Sequence, residues 1–140
     1  MNNKLHEKIV NNDRSLVVYM SVGQQLVGEA SASRQGVPLT TSTVDADDHW
    51  YFNRLFIKPQ WRHRGLAKKI LTRFTQLCAD RQLVMLCDVN PYGDLDREQL
   101  MNLYRRFGFA DTKAMAFDVE YDTLVLDARR SDENDQRGAC

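Results

Sequence analysis

Cysteine is scarce in this chain, and the scarcity excludes two kinds of chemistry. The three cysteines, Cys78, Cys87 and Cys140, are odd in number and form no Cys-x-x-Cys. Neither a disulfide framework nor a redox dithiol is indicated. His6, His49 and His63 share no ligand spacing with them, so no metal site is expected. Net charge is lacking too. The 19 basic residues balance 19 acidic ones, which speaks against a whole-surface attraction to nucleic acid. Long apolar runs are absent: a membrane span needs about 20 such residues, and the longest uncharged stretch, Ser15 to Gly28, is broken by Ser21, Gly23, Gln24 and Gln25. The opening MNNKLHEKIVNND has no apolar centre of an export signal, so a cytoplasmic protein with no membrane partner is expected. Neither a P-loop nor a GxGxxG is present, which disfavours triphosphatase and dinucleotide chemistry.

What remains is an ordinary globular composition. With 43% hydrophobic and 27% charged residues over 140 positions, the chain suits one domain with a real core. Residues 1–14 are polar, with a short strand at Leu5 to Val10. Ser15 to Val22 and Leu26 to Ser33 read as a hairpin around Gly23-Gln24-Gln25. Residues 34–49 are polar and long for a connection; such loops are often functional. Trp50 to Lys58 is a strand stopped by Pro59. Gly65 to Ala79 is a helix with Leu66, Ile70, Phe74 and Leu77 on one face. Leu83 to Val89 is nearly all apolar, as in a strand buried on both faces. A turn at Asn90-Pro91-Tyr92-Gly93 leads to Asp96, which caps a second helix with Gln99 three residues on and Gly108 after its end. Its apolar face is Leu100, Leu103, Tyr104 and Phe107. Ala114 to Glu120 and Thr123 to Ala128 read as a final strand pair, and 129–140 as a flexible tail. The order implies an α+β, three-layer domain. Its mixed sheet is mostly antiparallel, with a central parallel pair made by the strand–helix–strand unit at 50–89 and flanked by helices.

Charge is concentrated locally. Between Arg54 and Arg73 lie Lys58, Arg62, Arg64, Lys68 and Lys69, and no acidic residue. At the centre, Arg62-His63-Arg64-Gly65-Leu66-Ala67 follows a strand and opens a helix. Free N–H groups and a positive dipole end make such a turn fit for phosphate. Small residues at 65 and 67 let backbone approach an anion closely. A plain strand-to-helix turn beside a solvated basic face explains the same pattern.

Ile57-Lys58-Pro59-Gln60-Trp61-Arg62-His63-Arg64-Gly65-Leu66-Ala67 resembles the central motif of the GCN5-related N-acetyltransferase (GNAT) family, Arg/Gln-x-x-Gly-x-Gly/Ala after a strand ending in Val-x-Pro. Leu103-Tyr104-Arg105-Arg106-Phe107-Gly108-Phe109 is similar to a second family signature, Tyr-x-x-x-Gly-Phe. The resemblance covers roughly residues 15–128. It implies a mixed GNAT-like sheet and an acetyl-CoA site, with the cofactor in a V-shaped gap between the two parallel strands. Backbone amides from Arg62 to Ala67 would hold the pyrophosphate. Backbone of Leu55, Phe56 and Ile57 would pair with pantetheine like an added strand. An amide in a bulged part of that strand would polarise the thioester carbonyl. Side chains of Arg62, Arg64 and Lys69 would meet phosphates, and Asn90 or Asn102 the cofactor arm.

The same resemblance gives Tyr104 the part of general acid, protonating the departing CoA thiolate. Helical periodicity makes it equally a core residue. Asp88, at the end of an apolar strand, sits where some family members carry a glutamate base; as a turn residue it would instead hydrogen-bond toward Asn90-Pro91. Glu29 is the reserve base, with an edge carboxylate as its plainer role. His49 is expected at the surface, and Cys87 is a small core hydrophobe. Asp45, Asp47 and Asp48 would border the acceptor entrance or belong to a flexible loop. The family's usual strand and two helices before the first hairpin are shortened here, and a homodimer partner that completes this segment stays open. The resulting expectation is an acetyl-CoA-dependent N-acetyltransferase acting on a primary amine of a protein, peptide or small molecule, in a ternary complex. The alternatives are a CoA- or partner-binding module without catalysis and a nucleic-acid-binding protein using the 54–73 segment.

Overall fold

The computed structural model describes residues 4–89, 95–116 and 119–129. Nine strands and two α-helices occur among them, in the order β1 (Leu5–Asn11), β2 (Ser15–Val22), β3 (Gln25–Arg34), β4 (Leu39–Thr40), β5 (Asp45–Ala46), β6 (Trp50–Ile57), α1 (Leu66–Arg81), β7 (Val84–Cys87), α2 (Arg97–Arg106), β8 (Ala110–Ala116) and β9 (Val119–Asp127). They build one sheet in the spatial order β1-β2-β3-β6-β7-β9-β8-β4-β5. Only β6 and β7 run parallel; the other neighbours are antiparallel. This is the expected mixed α+β architecture.

The helices pack on one face. Ile70, Leu71 and Phe74 of α1 and Leu100, Met101 and Tyr104 of α2 join Leu16, Val18, Ala30, Phe52, Leu55 and Met85 of the strands in a single core. A second, smaller core lies on the opposite face, where Leu39, Val44 and Ala46 cover Val84, Leu86, Ala114 and Val125. All four residues of β7 are buried, alternately in the two cores, which is why its sequence is apolar without alternation.

Local chemistry explains the element ends. Asn12 accepts hydrogen bonds from the amides of Arg14 (3.0 Å) and Ser15 (2.9 Å), closing the β1–β2 turn. At α2, Asp96 accepts from the Gln99 amide at 2.8 Å and the Gln99 side chain accepts from the Asp96 amide at 2.9 Å. This reciprocal capping box is the one read from the sequence.

Three expectations need correction. Residues 34–49 are not a plain loop: β4 pairs with β8 and the segment forms the second core, because Leu39, Val44 and Ala46 bury there. His49 is not at the surface. It is 1% exposed, and its Nδ1 donates to the Val37 carbonyl at 2.8 Å, pinning the end of that excursion. The final hairpin begins four residues earlier than expected, at Ala110, and the predicted break at Tyr121–Asp122 falls inside β9. Pairing along Ala110↔Val125 to Ala116↔Val119 buries Ala114 and Ala116, and this register overrides the local turn signal. The expected family segment is partly present: β1 pairs along β2, and the short link 12–14 stands where two helices would lie. The Asn90–Gly93 turn and most of the 129–140 tail fall outside the described residues.

Asp96→Ala removes one cap bond and leaves the Gln99 amide without it. It should lower stability by about 1 kcal/mol, seen as a lower urea midpoint with an unchanged slope.

Candidate active site

The β6–β7 ladder holds only two pairs, Trp50↔Met85 and Tyr51↔Leu86. Beyond them β6 continues to Ile57 while β7 ends at Cys87. A cavity of about 170 Å³ occupies the opening, lined by Phe52 to Phe56 on one side and by Cys87, Asp88, Val89, Leu100 and Tyr104 on the other. A second cavity of about 220 Å³ lies farther along β6. Its walls include Leu55, Ile57, Trp61, Arg62, His63, Gly65, Leu66, Ala67 and Lys68. Leu55 and Leu100 line both.

A bulge shapes β6 at the first cavity. Ser31 pairs with Arg54 and Ala32 with Phe52, so Asn53 is the extra residue. Bulges re-aim side chains and interrupt pairing, and they concentrate near active sites. The bulge expected for an oxyanion amide is thus placed at Asn53, at the mouth of the gap.

The strand-to-helix turn is built for close backbone approach. His63 (φ 64°) and Gly65 (φ 79°) are both left-handed and flank Arg64, and left-handed residues in a turn are an ingredient of the concavities in which backbone amides bind anions. Gly65 is the N-cap of α1 and offers no side chain to the first-turn amides. A Cβ built there would meet nothing within 4 Å, so open space lies over it. Arg62 donates from Nε to the Ile57 carbonyl at 3.1 Å, bracing the turn. Arg64 stacks on Trp61 with its guanidinium carbon 5.1 Å from the ring centroid. Of the adjacent lysines, Lys68 lines the cavity and Lys69 does not. Trp61, Lys68, Leu95 and Leu103 are lining residues that the motif did not single out. The signal for Lys68 was its place in the first turn of α1, one residue from the expected lysine.

Tyr104 answers to both of its expected descriptions. It is 5% exposed and stacks edge-on with Phe52, centroids 5.6 Å apart, and tilted against Phe109 at 5.8 Å. It also lines the gap cavity, and among the described residues nothing hydrogen-bonds its hydroxyl. Burial pushes its phenol well above the ordinary value, with Cys87 acting in the same direction. The group therefore stays protonated at neutral pH and has a proton to give.

Asp88 shares this cavity. The Asn90–Pro91 turn toward which its carboxylate would otherwise hydrogen-bond lies outside the described residues. The structure brings Asp88 and Tyr104 together in this cavity and leaves Glu29, Asn102 and the three aspartates of the 34–49 segment out of its walls. Glu29 accepts from Arg54 Nη2 at 3.1 Å and is not a wall of either cavity. Asn102 is on the outer side of α2, accepting from Arg105 at 2.7 Å. Asp48 accepts from the Gly36 amide at 2.7 Å and pairs with Arg34, and neither it nor Asp45 or Asp47 is a wall of these two cavities. Asn90 lies outside the described residues. Among the described residues no group of three His, Cys, Asp or Glu could hold a metal, and no helix is long and apolar enough to cross a membrane.

A family model, the acetyltransferase (GNAT) domain, matches residues 11–111. The chain belongs to this family. Solved structures agree on the fold. Aminoglycoside acetyltransferase AAC(6')-Iy, solved with a bisubstrate analogue, is 19% identical at TM-score 0.56, over 76% of this chain and 69% of that one. An aminoglycoside acetyltransferase from an uncultured soil metagenomic sample is 18% identical at TM-score 0.53, over 78% and 67%. The KacTA–DNA complex gives 12% identity and TM-score 0.54, over 91% and 76%. No curated protein matches the sequence.

Both described thiols are buried, and burial pushes Cys78 and Cys87 from the ordinary value near 9.0 up to about 12, against Arg81 at Cys78 and with Asp88 at Cys87. Their folded-state values exceed the unfolded ones, so the stability they contribute is complete below about pH 9 and is lost as pH rises toward 12. The melting temperature should hold through pH 8 and fall steeply above pH 9. Cys78→Ala and Cys87→Ala should each make that fall shallower, as read by calorimetric scans in matched buffers.

Proposed function

We propose that this single domain, spanning 1–140, is an acetyl-CoA-dependent N-acetyltransferase that moves an acetyl group to a primary amine by direct attack in a ternary complex. The observation that carries this reading is the pairing of Asp88 and Tyr104 in one cavity, beside a second cavity whose wall is the Arg62–Ala67 turn. Two structural neighbours, AAC(6')-Iy bound to a CoA-based bisubstrate analogue and AAC(6')-Iy bound to CoA, support the cofactor class.

The residues present fit that cofactor. The left-handed pair at His63 and Gly65, the open space over Gly65 and the uncapped start of α1 suit a pyrophosphate. Lys68 and His63 would add side-chain contacts, and the edge of β6 from Leu55 to Ile57 would run beside the pantetheine arm. Bound acetyl-CoA supplies an acetyl thioester, whose acyl carbon is the electrophile.

The chain's own residues supply the rest. An alkyl amine is protonated at neutral pH and must lose a proton before it attacks. Asp88, directly or through a water, takes that proton. Amides of the bulged part of β6 near Asn53 stabilise the oxyanion. Tyr104 donates its phenolic proton to the departing thiolate. A phenol raised above its usual range is a weak acid, and it keeps its proton until the departing thiolate forms beside it.

Three measurements test the reading. Acetyl-CoA at about 100 times its dissociation constant should stabilise the protein by about 2.7 kcal/mol in a thermal titration, and Gly65→Ala should abolish most of that shift. Tyr104→Phe should lower kcat by about 10²-fold or more with CoA affinity little changed. Asp88→Asn should lower kcat/KM, read from initial rates, with CoA affinity little changed. Saturable binding with no transfer to any amine or peptide would instead describe a CoA-binding module.

A further inference from the structure

Arg54 takes no part in the chemistry derived above, yet it lines the cavity that holds Asp88 and Tyr104. Simple alternation along β6 would turn it into the core beside Phe52. The bulge at Asn53 prevents this: Phe52 and Leu55 are buried, while Asn53 and Arg54 are both exposed. The side chain is then fixed from two directions. Its guanidinium carbon lies 5.0 Å from the centroid of the Phe56 ring. Its Nη2 donates to Glu29 at 3.1 Å, and Glu29 is the sheltered partner, 14% exposed against 56% for Arg54. That bond uses one N–H of a guanidinium that carries several more, arranged as a planar fork suited to a carboxylate. Because Phe56 and Glu29 already restrict its rotamers, binding an anion costs it little further ordering.

We infer that Arg54 is a specificity residue that recognises a carboxylate on the amine acceptor, an inference that rests on the acetyl-transfer reading of this cavity. The wall carries two opposite charges. Asp88 attracts the ammonium that is to be deprotonated, and Arg54 attracts an acid on the same molecule. An acceptor bearing both groups is oriented by two contacts, whereas a simple amine is held by one. The carboxylate belongs to a free amino acid or to an acidic side chain near a peptide N-terminus.

The test uses acceptor pairs that differ only in charge: 4-aminobutyrate against 4-aminobutyramide, and peptides with Asp against Asn at the second position. Binding is read by calorimetry with the full chain saturated by CoA, and transfer by initial rates with acetyl-CoA. Wild type should bind the acid at least about tenfold more tightly than its amide, since a charge-assisted hydrogen bond is at stake. The preference should approach unity in Arg54→Gln and survive in part in Arg54→Lys, with kcat/KM ratios following. A preference in the first pair alone assigns a small acid; in the second alone, a peptide. Wild-type protein that binds acid and amide equally, or binds neither, overturns the inference, as does an unchanged preference in a folded Arg54→Gln. If Arg54→Gln does not fold, Arg54→Lys decides: an undiminished preference overturns the inference. A charge preference without transfer to any acceptor sinks the acetyl-transfer reading and leaves Arg54 as an anion-recognising residue.

Discussion

The site depends on a parallel ladder that stops early. β6 and β7 share two residue pairs and then separate, and the reasons lie in their other neighbours. β7 is held on its far side by β9 over its whole length, Val84↔Asp127 to Cys87↔Leu124, and the Thr123 hydroxyl donates to the Cys87 carbonyl at its end. β6 is held by β3 and bent by the Asn53 bulge. Each strand follows its own antiparallel partner, so the pair opens. Phe52 sits at the point of divergence, with its ring 5.2 Å from Phe74 of α1, 5.6 Å from Tyr104 of α2 and 6.4 Å from Phe109. Aromatic edges from both helices meet there and fill the wedge that backbone pairing no longer closes.

This packing gives Tyr104 two roles that do not compete. Its ring belongs to the core that keeps the strands apart, and its hydroxyl reaches the cavity that their separation creates. The burial that makes the ring stabilising also raises the phenol. A more exposed tyrosine would be a stronger acid and a worse wedge. The same coupling reaches Cys87, which closes β7 as a protonated thiol because it lies in the core beside Asp88.

Much of this was legible from one sequence. Continuous apolarity marked β7, the Asp96–Gln99 spacing marked the start of α2, and Gly65 within a basic turn marked the opening of a helix where backbone can come close to an anion. Each is a local signal with a local cause. What was not legible depends on pairing at a distance. The 34–49 excursion looked like a solvated loop because Leu39, Val44 and Ala46 are isolated among polar residues, and only β8 and β9 give them a surface to cover. His49 was placed outside for the same reason. The bulge at Asn53 leaves no mark in WYFNRLFI, since it arises from how β3 and β6 register. One residue of offset in α1 likewise decides that Lys68, rather than Lys69, faces the cavity.

Zero net charge proved a poor guide to local fields. Around the gap the charges are sorted along β6. Arg62 and Lys68 gather at its far end, where the turn would meet phosphate. Asp88 lines the middle, and Arg54, paired with Glu29, lies on the side away from the helices. Cavities with low-dielectric walls focus such fields far more than a solvated surface does. The positive end favours a polyanionic cofactor without making the whole protein attractive to nucleic acid. The middle favours a cation. The bulge adds a second polarity across the sheet by turning Arg54 away from the core, so the gap is polarised along its length and through its depth. A cavity polarised in two directions constrains the orientation as well as the identity of what enters it, and one inserted residue, Asn53, is sufficient to produce the second.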